Sequence, residues 1–466
     1  MNLHRNILRL AVPSIFANIT VPLVGMVDIA VAGHLGASGA VPAATLIGGI
    51  SIGTMLFDML YWNFGFLRGG TGGLTAQAYG RWRSGIPEAV RDIAITLKRA
   101  LGIALGSGLA LVALQWVVVQ VAFLLVDCSP EVQKLANQYF YIRIWAAPAT
   151  LSLFAFKGWF IGMQDTVRPM TSDLIVNFTN ILLSVGLAFG YAGLPALGFA
   201  GVAYGTLIAQ WTGFAYAALA VWRRYGRVFR EAGDSFASLG MTEGTRNGSW
   251  RAFFVLNRDL FIRSMCMIAV YIGFTMISAR YGDMMLAVGA ILMKLLMIFS
   301  YFTDGFAYAG EALTGRFIGE GSPEGVRTTV RQTFVWSVGV TLLFFLVYGV
   351  GGVPLLKLMT SDPDVVESAR EFIPWLLLMP VIGCPAFTWD GIFTGATASR
   401  DLRNSTAWCV AGFFGVWFAG IGLARALSGT VPETLAIHIL MAAYFTHLAV
   451  RALYLTLRAR KAIPGV

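Results

Sequence analysis

The sequence predicts an all-α membrane protein in which 12 transmembrane helices form two parallel six-helix repeats, an N-lobe and a C-lobe, around a central cavity. Three observations predict this fold class: long apolar runs, basic residues concentrated in alternate loops, and segments that recur in both halves. Of the 466 residues, 57% are hydrophobic and 12% are charged, whereas about a quarter of the residues in a soluble domain are charged. We therefore expect most of the chain to lie within a bilayer.

Apolar runs that are long enough to cross a bilayer, about 20 residues as a helix, occur along the whole chain. They are continuous and lack two-residue alternation. A helix also satisfies its own backbone hydrogen bonds in lipid, so helices are predicted and not strands. The predicted spans are 8–35, 42–67, 100–126, 139–162, 170–191, 196–222, 257–280, 284–310, 329–356, 372–396, 404–426 and 434–457.

Basic residues are concentrated in one alternate set of loops. The other set contains only Lys134, Arg280, Lys357, Arg370 and Arg425. Under the positive-inside rule the basic set is cytoplasmic, which predicts a multi-pass protein of the bacterial cytoplasmic (inner) membrane with both termini in the cytoplasm. This distribution explains the net charge of +10, so no nucleic-acid partner is expected.

The longest polar segment divides the predicted spans into six and six. The predicted domains are an N-lobe at 1–222, a cytoplasmic linker at 223–256 and a C-lobe at 257–466. The linker is interpreted either as short amphipathic helices on the inner leaflet or as a solvated connector.

Three pairs of segments recur in the same order at the same helix boundaries. VAGHLG at 31–36 matches SARYGD at 278–283 in position, GGLTAQAYG at 72–80 matches EALTGRFIG at 311–319, and KGWFIG at 157–162 matches DGIFTG at 390–395. An even number of spans in each half gives both halves the same orientation, so we expect parallel repeats.

Several strings resemble one transporter family over nearly the whole chain. They are NITVPLVGMVDIAVAGHLG, GGLTAQAYG, LNRDLFIRS, YFTDGFAYAGEALTG and DGIFTGATASRDLRNS. These strings resemble the multidrug and toxic compound extrusion (MATE) transporters and, within them, the DinF branch. The resemblance implies a cation-coupled antiporter that exports amphipathic, often cationic compounds by alternating access.

Asp28 is the only charged residue between Leu10 and Gly33. A bare carboxylate in hydrocarbon is costly, so an acidic residue there marks a functional candidate. Burial favours the neutral acid and brings proton exchange within reach of physiological pH. Pro22, in the same predicted helix, can bend it. The alternative is a neutral Asp28 that only bridges to a neighbouring helix.

The resemblance implies further members of a coupling site around Asp28. It extends the site to Asn180 and Thr206, but Ser184 stands where the family usually has a second aspartate. Sodium prefers several oxygen ligands and an anionic site, so the missing carboxylate favours the proton as coupling ion and leaves sodium possible. Asp173, seven residues before Asn180, is a candidate substitute charge, and the alternative is that it lies near the cytoplasmic end of this span.

The predicted C-lobe contains its own charges within apolar spans. One hypothesis is a drug-binding or second proton site, and the other is a structural ion-pair network. The substrate-cavity candidates of both halves are Asn177, Phe154, Asp304, Glu311, Lys294, Asp390 and Arg263.

Other function classes are less consistent with this sequence. A flippase for lipid-linked saccharides should have a cationic cavity, and a major facilitator transporter should have a basic motif between its second and third spans that is missing here. The four Cys and four His are scattered, so we expect no metal site, no cofactor and no enzyme activity. The expected partners are small amphipathic substrates and the lipid bilayer, and the expected state is a monomer.

Overall fold

The computed structural model describes residues 3–38, 41–125, 128–238, 250–359 and 363–466, and within these ranges the chain is almost wholly helical and has no β-strand. This confirms the predicted all-α class. In chain order the helices are α1 (Leu3–Ser38), α2 (Ala43–Trp62), α3 (Gly65–Arg83), α4 (Ala89–Ala113), α5 (Gln115–Leu125), α6 (Pro130–Arg143), α7 (Ala147–Gly162), α8 (Val167–Phe189), α9 (Phe199–Ser238), α10 (Trp250–Ala279), α11 (Gly282–Gly319), α12 (Pro323–Met359), α13 (Pro363–Arg370), α14 (Ile373–Gly395), α15 (Ser399–Ser428) and α16 (Glu433–Ala462).

Every predicted span lies on one or two of these helices. Among the described residues, 11 segments are long and apolar enough to cross a membrane. The predicted sixth span is helical within α9 but is not one of the 11, because its Gly, Thr, Tyr and Gln residues lower the mean hydropathy. The second predicted span ends at residue 67, within α3, whereas the corresponding helical segment continues to Arg83.

The chain forms two compact units. One comprises Met1–Ile15 and Ser249–Val466, and the other comprises Phe16–Gly248. Helix α1 is continuous across this boundary, and Ile15 and the Ala11 carbonyl pack tightly against Gly305 of α11. The beginning of the chain therefore packs with the second half, and the rest of α1, including Asp28, packs with the first.

The predicted linker at 223–256 is helical at both described ends. Helix α9 continues the predicted sixth span to Ser238, and α10 begins at Trp250. Residues 239–249 lie outside the described part of the chain. The predicted domain boundaries at 222 and 257 stay predictions.

The recurring segments form the same close helix contact in each half. No Cβ atom would fit at Gly158 of α7, because the Arg68 carbonyl oxygen of α3 occupies that space. Gly391 of α14 lies in the same way against the Ala307 carbonyl oxygen of α11. Gly158 and Gly391 match within the aligned segments, and Arg68 and Ala307 each lie four residues before the segments at 72–80 and 311–319. The repeat is therefore a structural duplication.

The equivalence continues past the ends of these two helices. Gln164 and Thr397 follow α7 and α14 at the same distance along the chain, and both have positive φ angles, of 60° and 54°. Such a backbone is uncommon for residues other than glycine. Two unrelated helix ends would not be expected to share it.

Candidate functional site

Asp28 is buried in the first half of the molecule, with 5% of its surface exposed. Its carboxyl group interacts with the Ser184 hydroxyl of α8 and with the charge of Arg143 of α6. Its Oδ1 atom accepts no hydrogen bond. Helix α1 thus places an incompletely satisfied acid between α6 and α8.

Helices α8 and α9 supply the amide and hydroxyl groups beside this acid. Asn180 Nδ2 donates to Thr206 Oγ1 over 2.8 Å, and the Thr206 hydroxyl donates to the Val202 carbonyl over 3.1 Å. A Cβ atom at Gly205 would lie 2.6 Å from the Ser184 backbone nitrogen, so the two helices touch at Ser184. The structure therefore brings together Asn180 with Thr206, and Ser184 with Asp28.

A second contact fixes how α1 lies along α8. Asn177 Nδ2 donates to Thr20 Oγ1 over 2.7 Å. From Thr20 to Asp28 the rise is about 12 Å, and from Asn177 to Ser184 it is about 10 Å at the helical rise per residue. The helices therefore run parallel, as expected for the first and fifth predicted spans. Asn177 joins these helices, and its side chain is only partly buried.

Asp173 lies away from this acid. It forms an ion pair with Lys157 of α7, with 2.7 Å between Lys157 Nζ and Asp173 Oδ2. It precedes Ser184 by 11 residues, which is about 16 Å along α8. The partner that the structure gives Asp173 is thus a lysine that the sequence analysis did not single out.

Arg143 was also missed. Its guanidinium lies over the ring of Phe57, 4.7 Å from the centroid, and donates from Nη1 to the Tyr139 hydroxyl over 3.0 Å. Arg143, Lys157 and Arg451 each lie inside a predicted apolar span. A search for charged residues inside predicted apolar spans, which identifies Asp28, would also have identified these three residues.

The second half contains a buried ion cluster around Asp390. Asp390 Oδ2 lies 2.8 Å from Arg263 Nη2 and 3.0 Å from Arg451 Nη1. Arg451 is 1% exposed and lies over the ring of Phe387. These contacts join α10, α14 and α16, so the predicted pair of Asp390 with Arg263 exists and includes a second arginine.

The other cavity candidates differ in exposure. Glu311 is fully buried and Asp304 is half-buried. Lys294 is exposed, contrary to the expected buried charge, because Leu292, Leu295 and Leu296 take the buried face of α11.

Phe154 is half-buried and packs against the apolar core of the first half. A packing role accounts for its position, and its assignment to a substrate cavity stays a prediction.

The described residues contain no group of three or more His, Cys, Asp or Glu that could hold a metal ion. Two oxygens of the predicted coupling residues, Asp28 Oδ1 and Asn180 Oδ1, accept no hydrogen bond. A carboxylate and an amide oxygen are suitable for a proton or a hard monovalent cation.

Comparison with known proteins identifies the family. The MatE family model matches residues 13–185 and 260–417, which is more than half of the chain. The chain belongs to the MatE family. Among MatE relatives, DNA damage-inducible protein F of Escherichia coli is 34% identical over 87% of this chain and 83% of its own length. A probable multidrug resistance protein NorM of Thermotoga maritima is 22% identical over 91% and 85%.

Solved MatE-like structures share the fold. A MATE crystal structure in the bent conformation has a TM-score of 0.79 at 15% identity and covers 99% of this chain and 96% of its own. The Vibrio cholerae MATE transporter VcmN in its bent form has a TM-score of 0.78 at 17% identity, with 99% and 97% covered. A MOP superfamily transporter from Pyrococcus furiosus, described by a binding pocket of reverse polarity, has a TM-score of 0.74 at 17% identity, with 99% and 96% covered. The predicted fold and family are therefore confirmed, and the chain is a multi-pass membrane protein.

Proposed function

We propose that this chain is a proton-coupled antiporter that exports amphipathic, often cationic compounds by alternating access. The observation that supports this most directly is Asp28, a buried carboxyl group with an unpartnered oxygen in a MatE chain. An antiporter needs a buried group whose charge changes with ion load. A carboxyl group that is not locked into a direct ion pair can gain and lose a proton without breaking one.

Ser184 supports the proton over sodium. It stands beside Asp28 at the position where a second acid would complete an anionic cage. A sodium ion depends on several oxygen ligands, whereas a proton binds one carboxylate oxygen. Sodium is the second candidate, since Asp28 Oδ1 and Asn180 Oδ1 both lack a hydrogen-bond donor.

The test is efflux of ethidium from cells, and its uptake into inside-out vesicles, when both contain the full chain. Asp28→Asn should abolish pH-gradient-driven efflux. Asp92→Asn is the matched control, because Asp92 pairs with Arg81 over 2.8 Å away from the site, and it should remain active. Full activity of Asp28→Asn would contradict the proposal. A sodium requirement at fixed pH would reassign the coupling ion.

A flippase for lipid-linked saccharides is the alternative within the same superfamily. The charges around α6 to α8 favour the antiporter, because Lys157 is paired with Asp173 and Arg143 faces Asp28. Each of these two cations is therefore balanced by an acid, so neither is left free to hold a pyrophosphate. Translocation of a fluorescent lipid-linked saccharide in vesicles by Asp28→Asn would favour the flippase.

We further propose a monomer in the bacterial cytoplasmic membrane with both termini in the cytoplasm. The loop distribution of Lys and Arg supports this orientation. Reporter fusions at both termini and the mass of the purified particle test it.

A further inference from the structure

A cation lies beside the proposed coupling acid without pairing directly with it. The Arg143 guanidinium is held by the faces of Phe57 and Tyr139, at 4.7 and 5.5 Å from the ring centroids, and by the hydrogen bond to the Tyr139 hydroxyl. Phe57 and Tyr139 are fully buried. Aromatic faces stabilise a guanidinium while leaving its charge in place.

Four ionisable groups act on this guanidinium. Tyr139 lies on α6 itself, Tyr61 and Asp58 lie on α2, and Asp28 lies on α1. Val27 and Val31, which flank Asp28 on α1, pack in the same apolar core as Phe57 and Tyr139, the two residues whose rings hold this guanidinium. The acid to which we assign ion coupling is therefore one of the two carboxylates near Arg143.

We propose that Arg143 is a positioning residue that supplies a fixed counter-charge to Asp28 and makes the site accept a proton but not sodium. This inference rests on the proposed function. When Asp28 is ionised, the two charges make the site neutral. Sodium binds only through electrostatics and oxygen ligands and gains little from a neutral site. A proton forms a covalent O–H bond and needs no cage.

The charge of Arg143 also keeps the proton on Asp28 exchangeable. Burial alone favours the neutral acid, and a nearby cation favours the ionised form. At the effective dielectric constant of proteins, a nearby unit charge that is not in direct contact changes an ion affinity by about tenfold. Removing the charge of Arg143 should therefore strengthen binding of both cations at Asp28.

The experiment uses the full chain in nanodiscs and proteoliposomes. The variants are Arg143→Gln and Arg143→Met, which remove the charge, and Arg143→Lys, which keeps it. Thermal unfolding is compared in NaCl and KCl at equal ionic strength, and ethidium efflux is measured as a function of pH. Arg168→Gln, which removes a cation from the cytoplasmic end of α8, is the matched control.

We expect the Gln and Met variants to be stabilised by sodium relative to potassium, and their half-maximal efflux to move about one pH unit upward, the equivalent of tenfold. Arg143→Lys and Arg168→Gln should show no sodium preference. Adding Asp28→Asn to the Gln or Met variant should abolish the sodium response.

Two outcomes overturn this inference alone. One is an Arg143→Gln or Arg143→Met protein with the pH profile and ion response of the unaltered chain. The other is sodium-specific stabilisation of the unaltered protein, which needs no variant to fold. An active Asp28→Asn protein would instead overturn the proposed function itself.

Discussion

Lys157 and Asp390 occupy equivalent positions in the two repeats and have opposite charges. Each directly precedes a glycine, Gly158 or Gly391, that packs on the backbone of a neighbouring helix. Lys157 pairs with Asp173, and Asp390 pairs with the two arginines of its own half. Both repeats therefore have the same helix contact. The residue beside it is the cation of its ion pair in one repeat and the anion of its ion pair in the other.

Asp390→Asn should destabilise the protein by about 3–5 kcal/mol, because it leaves the buried Arg451 without its anion. Asp401→Asn is the control, since Asp401 pairs with an Arg458 side chain that is 42% exposed, and exposed ion pairs contribute little to stability. The measurement is thermal unfolding in detergent. Equal effects of the two variants would show that the buried cluster does not stabilise its half.

Gly158→Ala and Gly391→Ala should each destabilise the protein by about 1–3 kcal/mol or more, because the added methyl group would overlap a backbone carbonyl that cannot rotate away. Gly102→Ala should be neutral or slightly stabilising, since nothing lies within 4 Å of a Cβ atom there. Thermal unfolding of the three variants checks this. A tolerated Gly158→Ala with a damaging Gly391→Ala would contradict the equivalence of the repeats.

Ser184→Asp should create sodium binding by restoring a second carboxylate beside Asp28. At a sodium concentration of ten times Kd the stabilisation would be about 1.4 kcal/mol. Differential scanning calorimetry in NaCl and in KCl measures this stabilisation. Ser184→Asn is the control, because it introduces a side chain of similar size without the charge. If the difference in thermal stability between NaCl and KCl is the same for Ser184→Asp and Ser184→Asn, Ser184 does not belong to the ion site.

Tyr225, beyond the predicted sixth span, donates to Asp165 Oδ2 over 2.8 Å. Burial and the adjacent carboxylate raise the pKa of Tyr225 above its ordinary value of 10.0. The folded state therefore holds this proton more tightly than the unfolded state does. The resulting stability is complete below about pH 10 and is lost as the pH rises toward the folded pKa.

Tyr225→Phe should therefore cost about 1–2 kcal/mol at pH 7 and lose less stability than the unaltered protein above pH 10. Thermal unfolding from pH 7 to 11 tests this. Tyr191→Phe, at a residue that is 60% exposed, is the control and should change neither value. If the difference in stability between Tyr225→Phe and the unaltered protein were constant from pH 7 to 11, the proposed role of the phenol proton would be wrong.

Apolar periodicity and length were sufficient to predict the helices, because a segment in lipid has few alternatives to helix. They could not predict helix ends. The GGLTAQAYG segment, for example, lies inside α3, where glycines permit close packing and do not mark a loop.

The site was predicted in part. Asp28 stands out by charge alone, and Asn180, Thr206 and Ser184 came from the family resemblance. The position of Asp173 opposite Lys157, and of Arg143 in its aromatic surroundings, depends on how separate helices rotate about their axes. Sequence spacing within one helix contains no information on that rotation.

Because Ile15 and Ala11 pack on Gly305, the unit that contains residues 249–466 is completed by residues that are synthesised well before it. A fragment that begins at residue 249 would lack this segment, and the surface of α11 at Gly305 would have no covering chain. In the membrane, the segment at residues 3–15 can therefore reach its packed position only after α11 has been synthesised.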